Sequence, residues 1–230
     1  MSSVRVTYSG LIAFIVGIGS ILTGTVFTLI ITRQLSVEEF GTWNLIGSII
    51  AYTLLLESPI FFWITREIAR DKLSAKTGII TSGMFSSIGM LVYVIIANVI
   101  GQQSNADVTM MILAVILIPV NFLNHTLIGI NAGWKPHIVS YGFITIEITK
   151  IPIALALIYY LELGILGVII TVLLSTCASI IIQLYYAEPK LKNRFEKKFV
   201  KKWLKLSWVA LYKDIPGTLY ISDVIIFSTI

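Results

Sequence analysis

Cysteine is nearly missing from this 230-residue chain: Cys177 stands alone in an apolar run, so neither a disulfide framework nor a cysteine zinc site can be built. Charge is scarce as well, at 13% Asp, Glu, Lys and Arg, against about 25% in globular domains. With 57% hydrophobic residues there is too little polar surface to cover a water-facing core, and lipid has to be the outer solvent. No G-x-x-x-x-G-K-[ST] phosphate loop, H-E-x-x-H or G-x-S-x-G occurs in the sequence. The chain therefore reads as non-enzymatic and without a cofactor.

What the sequence does have is long apolar runs. Crossing the hydrocarbon layer takes about 20 apolar residues in a helix, because the layer is roughly 30 Å thick and each residue rises about 1.5 Å. Val6 to Thr32, Thr77 to Ala106, Val108 to Trp134 and Leu163 to Ala187 contain no Asp, Glu, Lys or Arg. Phe40 to Thr65 is interrupted only by Glu57, and Pro136 to Leu161 only by Glu147 and Lys150. A seventh run starts near Ile215, includes Asp223 and is cut off at Ile230. The runs are continuously apolar rather than alternating, which excludes membrane strands. The expected fold is all-α, a polytopic transmembrane helical bundle with six full spans and a truncated seventh. Residues 1–187 would form a six-helix lobe, 188–214 a basic amphipathic cytoplasmic linker, and 215–230 the start of a second lobe.

Charge orients the bundle. With six spans and a cytoplasmic amino terminus, 15 of the 17 basic residues fall on the inside, nine of them between Lys190 and Lys213. The outside loops hold only Arg33, and Lys150 lies within a span. That asymmetry is the positive-inside pattern and predicts a multi-pass cell-membrane protein. In the linker, Phe195, Phe199, Trp203 and Leu206 recur at helical spacing, with lysines largely elsewhere on the wheel. Lys197, Lys198, Lys201, Lys202, Trp203 and Lys205 are thus expected to contact anionic lipids of the inner leaflet. Membrane adjacency accounts for the charge and the aromatics together, and nucleic acid is not an expected partner.

Polar groups at membrane depth mark the candidate chemistry. Glu147 and Lys150 share a helix face; they either neutralise each other locally or face a hydrated cavity in which Lys150 meets a phosphate and Glu147 carries a proton. Asn121, Asn124 and His125 lie at i, i+3 and i+4 after Pro119, as an interhelical hydrogen-bond cluster or a substrate-lining face. His125 has no second His or carboxylate at i+3 or i+4, so a metal site is not predicted. Glu57, just before Ser58 and Pro59, would bond backbone donors freed at a kink or pair with Arg66 or Arg70. Glu57 and Asp223 stand as structural or coupling acids. Gly78, Ser82, Ser86 and Gly89, and likewise Gly167, Thr171, Ser175 and Ser179, form small-residue stripes suited to close helix contact.

The stretch Arg33-Gln34-Leu35-Ser36-Val37-Glu38-Glu39-Phe40-Gly41, the late acid Glu57 and the end Thr65-Arg66-Glu67-Ile68-Ala69-Arg70 resemble the amino-terminal lobe of polysaccharide biosynthesis flippases. These belong to the multidrug, oligosaccharidyl-lipid and polysaccharide exporter superfamily. Family members commonly carry Gly after the acid, where this chain has Ser58-Pro59. The resemblance implies 12 to 14 spans in two lobes around a cavity of alternating access, of which this chain would be a partial, one-lobe form. It also implies a polyprenyl-diphosphate-linked oligosaccharide as cargo, with the missing lobe or a second copy as partner. An ion-coupled multidrug exporter, a non-transporting scaffold and an integral-membrane glycosyltransferase are the alternatives. Outer loops of a few residues argue against the transferase.

Overall fold

The computed structural model describes residues 6–104, 106–210 and 212, with the side chains of 6–8 left aside. The seventh apolar run and Asp223 lie outside the described residues. Within them the chain is helical throughout: α1 (Val6–Gln34), α2 (Val37–Leu54), α3 (Ser58–Ala69), α4 (Ala75–Gln103), α5 (Val108–Leu113), α6 (Leu117–Trp134), α7 (Pro136–Ala154), α8 (Gly164–Leu191) and α9 (Lys197–Lys205). Five segments are long and apolar enough to cross a membrane: α1, α4, α5 with α6, α7 with its continuation to Tyr160, and α8. The pair α2 and α3 meets the same test only when taken together, with a break and a bend of 54° between them, so the count is five spans, or six if this pair is one.

Each interruption has a local cause. Pro59 has no N–H to offer Leu55, and the chain closes instead with tight i to i−3 bonds, Leu56 N–H to Thr53 O at 3.1 Å, Glu57 N–H to Leu54 O at 3.0 Å and Ser58 N–H to Leu55 O at 3.3 Å. Proline in the first turn then starts α3 at no loss, since those N–H groups have no partner within the helix. Pro119 likewise leaves Val115 O without its usual donor, and residues Ala114–Ile116 tighten into a 3₁₀ turn between α5 and α6. Beyond Pro152, α7 widens into a π-helical stretch, Leu155–Tyr160.

Only Leu35 and Ser36 separate α1 from α2. Ser36 and Glu39 form a capping box: Ser36 Oγ accepts from Glu39 N–H at 3.2 Å, and the Glu39 carboxylate accepts from Ser36 N–H at 3.0 Å. The same carboxylate accepts from Ile165 N–H at 3.2 Å beside Gly164, whose φ of +55° lets the chain turn there into α8. This segment thus ties the starts of α2 and α8 together.

Packing is inverted relative to a water-soluble bundle. Leu11, Phe14, Ile15, Ile21 and Leu22 of α1 and Met84, Leu91 and Ile95 of α4 are exposed, whereas Ser82, Ser86, Thr171, Ser175 and Ser179 are buried. Small hydroxyl residues inside and branched apolar ones outside suit a lipid surround. The α4 stripe meets α6 and α3: a methyl at Gly89 would contact Phe122 and Ile118, and one at Gly78 would collide with Ile64. One core cluster gathers Ile46, Ile49, Tyr93, Met111, Ile118 and Phe122, and the Tyr93 hydroxyl donates to Met111 O at 2.8 Å. A second joins Ile60, Ile64 and Ile68 to Leu127, Ile130, Phe199 and Trp203.

That second cluster corrects the expected role of Trp203. It is 1% exposed and packed on protein, so it touches no lipid. Lys202 keeps much of its side chain exposed but is bonded to the buried Glu67, which also pairs with Lys72 at 2.8 Å. Lys197, Lys198, Lys201 and Lys205 remain exposed. The apolar stripe predicted for an amphipathic helix is present, but it packs on protein, against α3 and the start of α4. Helix α8 runs past Ala187 to Leu191.

Candidate functional site

The break between α2 and α3 opens on a cavity of about 520 Å³. Leu54, Glu57, Phe61 and Phe62 contribute from α2, the break and α3, Asn121, Asn124 and His125 from α6, Phe143 and Ile146 from α7, and Thr176 from α8. Four of the polar residues singled out in the sequence therefore share one cavity.

Glu57 is 1% exposed and stands where the chain bends. Its Oε1 accepts from Thr126 Oγ1 at 2.6 Å and from Ser82 Oγ at 3.3 Å. Oε2 has no hydrogen-bond partner among the described residues, and His125 Nδ1 lies 3.8 Å from it. Neither expected partner set holds: the carboxylate caps no backbone donor of α3, and it meets neither Arg66 nor Arg70. Arg66 turns outward to stack its guanidinium on Phe62, 4.5 Å from the ring centre. The tight turns already satisfy the backbone donors at the break, which leaves the carboxylate free to reach across to α4 and α6.

His125 stands between Glu57 and Phe61, with its ring centre 6.3 Å from the phenyl. Asn124 serves two ends: it lines the cavity, and its Oδ1 accepts from Gln183 Nε2 at 2.9 Å and Ser179 Oγ at 3.2 Å across to α8. Gln183 O accepts from Asn131 Nδ2 at 3.1 Å, and Gly142 of α7 leaves the space that the Gln183 side chain fills. Asn121 donates to Leu117 O of its own helix at 2.8 Å while facing the cavity. The triad is thus an interhelical hydrogen-bond cluster at Asn124 and cavity wall at Asn121 and His125.

Glu147 and Lys150 are elsewhere. Lys150 Nζ is 2.7 Å from Glu147 Oε2, the same carboxylate oxygen accepts from Thr23 of α1, and the ammonium lies 5.5 Å from the centre of the Phe27 ring. A separate recess of about 300 Å³ holds Glu147 with Gly19, Ser20, Thr23, Ile144 and Ile148. The pair joins α7 to α1 and does not line the cavity with Asn121 and His125, because α7 turns Phe143 and Ile146 to the cavity and Ile144, Glu147 and Ile148 to α1.

Thr126, Gln183, Phe61, Phe62 and Phe143 were not singled out in the sequence. Gln183 had a signal, a lone amide inside the uncharged run from Leu163 to Ala187, but a search for charges passes over it. Thr126 had none, since a threonine in a span more often bonds its own helix, and Thr126 also bonds Phe122 O at 3.0 Å. Among the described residues no three His, Cys, Asp or Glu side chains gather as metal ligands. The cavity offers one carboxylate, two amides, an imidazole and three phenyl faces, a set that hydrogen-bonds hydroxyls and stacks on rings or cations. Comparison with protein-family models, with curated proteins and with solved structures gives no significant match.

Proposed function

We propose that this chain is the amino-terminal lobe of a membrane transporter that moves lipid-linked oligosaccharide across the bilayer in polysaccharide biosynthesis, without covalent chemistry. One observation carries the proposal: a largely apolar, aromatic-edged cavity of about 520 Å³ into which Glu57, Asn121, Asn124 and His125 converge, built where α2 and α3 are broken from each other. A glycan cannot cross hydrocarbon unaided, since each unpaired hydroxyl costs roughly 2–7 kcal/mol to bury. Asn121, Asn124, His125 and Glu57 can replace water around hydroxyls, while Phe61, Phe62 and Phe143 cover the apolar faces of sugar rings. The cavity suits the neutral sugar moiety better than the diphosphate. Lys150, expected to meet the phosphate, is occupied by Glu147, so the countercharge for that group has to come from outside this cavity. The prenyl tail stays in lipid.

A second cargo is favoured by the same lining. A buried carboxylate beside Phe61 and Phe62 also suits an organic cation, the cargo of a multidrug exporter. Vesicle transport separates the two. With the intact protein in proteoliposomes, a short-chain isoprenyl-diphosphate disaccharide placed in one leaflet should reach the other faster than in protein-free vesicles. Asn121→Ala with His125→Ala should slow it. Movement of ethidium but not of the glycolipid would transfer the assignment to the exporter, and movement of neither would end the transporter proposal.

A further inference from the structure

Helix α9 has two faces with different surroundings. Phe199 and Trp203 are buried in one apolar cluster with Ile60, Ile64 and Ile68 of α3 and Ala75 of α4, Lys202 bonds Glu67, and Trp63 Nε1 donates to Leu206 O at 3.4 Å. The face that a free amphipathic peptide would sink into a bilayer is therefore covered by protein. On the opposite side Lys197, Lys201 and Lys205 are exposed with Leu204 between them, and spacings of three and four residues place them in one row. Trp208 and Tyr212, 67% and 75% exposed, follow toward the carboxyl end. None of these three lysines makes an ion pair among the described residues, whereas Lys198 pairs with Glu196. The cations also occupy an element docked directly onto a membrane-spanning bundle. A row of long basic side chains edged by a tryptophan and a tyrosine is the chemistry that binds phosphate headgroups while resting its apolar parts on the acyl boundary.

We propose that the outer face of α9 docks on anionic phospholipid headgroups of the adjoining membrane surface, through Lys197, Lys201 and Lys205 with Trp208 at the headgroup boundary. The Trp208 assignment replaces Trp203, and the docking goes beyond the transport proposal because it is independent of the cargo.

The test uses the full chain with Leu204→Cys in a Cys177→Ser background, in lipid nanodiscs whose two faces are both open to solvent. The rate of modification by a neutral, water-soluble maleimide is compared in phosphatidylcholine alone and with about 30 mol% phosphatidylglycerol, and should fall at least about fivefold with the anionic lipid, the worth of one lysine at such a surface. The slowing should disappear in Lys197→Gln/Lys201→Gln/Lys205→Gln and at about 0.5 M salt, where screening is nearly complete within a few ångströms. Glu67→Gln is the control for the inner face: it should speed modification in both lipids and preserve their ratio. Equal rates in the two lipids would overturn the proposal, and so would a ratio erased by Glu67→Gln alone. A rate indifferent to the lipid but slowed by added polyglutamate would overturn it in favour of an acidic protein partner.

Discussion

Adding one methyl group at Gly133 should separate two helices that the cavity depends on. Near its carboxyl end α6 runs so close to α3 that a Cβ at Gly133 would lie 2.5 Å from Thr65 O, 3.0 Å from Ile68 Cβ and 3.2 Å from Ala69 N. Two of these three are backbone atoms and cannot swing aside as the end of a side chain would, so Gly133→Ala must push α3 away as a unit. Overpacking of this kind costs about 1–3 kcal/mol. At about 2–4 °C per kcal/mol for a chain of this size, the midpoint of thermal unfolding should fall by about 2–12 °C. Gly24→Ala is the matched comparison, because nothing lies within 4 Å of a Cβ there. That variant should be unchanged or more stable by up to about 1 kcal/mol, the helix preference of alanine over glycine. Tryptophan fluorescence of the two variants in detergent micelles during heating measures the difference. Equal midpoints for Gly133→Ala and Gly24→Ala would refute the close approach of α6 to α3, and with it the placement of Phe61 and Phe62 on the cavity wall.

Further substitutions probe the polar groups inside the bundle. Thr126→Val removes the shorter of the two hydrogen bonds to Glu57 Oε1 and should lower stability by about 1–3 kcal/mol, whereas Glu57→Gln keeps an acceptor for Thr126 and Ser82 and should be better tolerated. Unfolding midpoints in which Glu57→Gln is the more damaging change would contradict that picture. Lys150→Ala strands Glu147 against α1 and should cost about 3 kcal/mol, with recovery when Glu147→Gln is added; in the transport assay the double variant should move the glycolipid normally, since the pair lies outside the cavity.

The spans were legible because lipid demands a long apolar run of each helix independently, and a demand met locally is written locally. The Ser36 and Glu39 capping box was passed over, although Ser followed three residues later by Glu before an apolar run is its signature. Small-residue stripes on α4 and α8 also read correctly as contact faces, since no other use of Gly and Ser at i, i+4 suits a span. What did not read was the direction in which each polar group points. Glu57 looked toward arginines because Arg66 and Arg70 are its neighbours in the chain, yet its partners Ser82 and Thr126 come from helices brought near only by packing. Glu147 and Lys150 share a helix with Phe143 and Ile146, and one dimension cannot say which of two adjoining faces meets α1. For α9 the wheel separates an apolar from a basic face, but protein and acyl chains satisfy an apolar face alike, so the wheel alone could not place Trp203 against protein.

The carboxylate and ammonium that fasten α7 to α1 sit three residues apart on a single helix, and their charges sum to zero whether the proton rests on one or the other. A transmembrane voltage acts on net charge, at about 2.3 kcal/mol per elementary charge per 100 mV. If α7 shifts along the membrane normal during a working cycle, it carries no gating charge from this pair. Any electrical sensitivity of such a cycle would have to arise from the cargo or from groups elsewhere in the molecule.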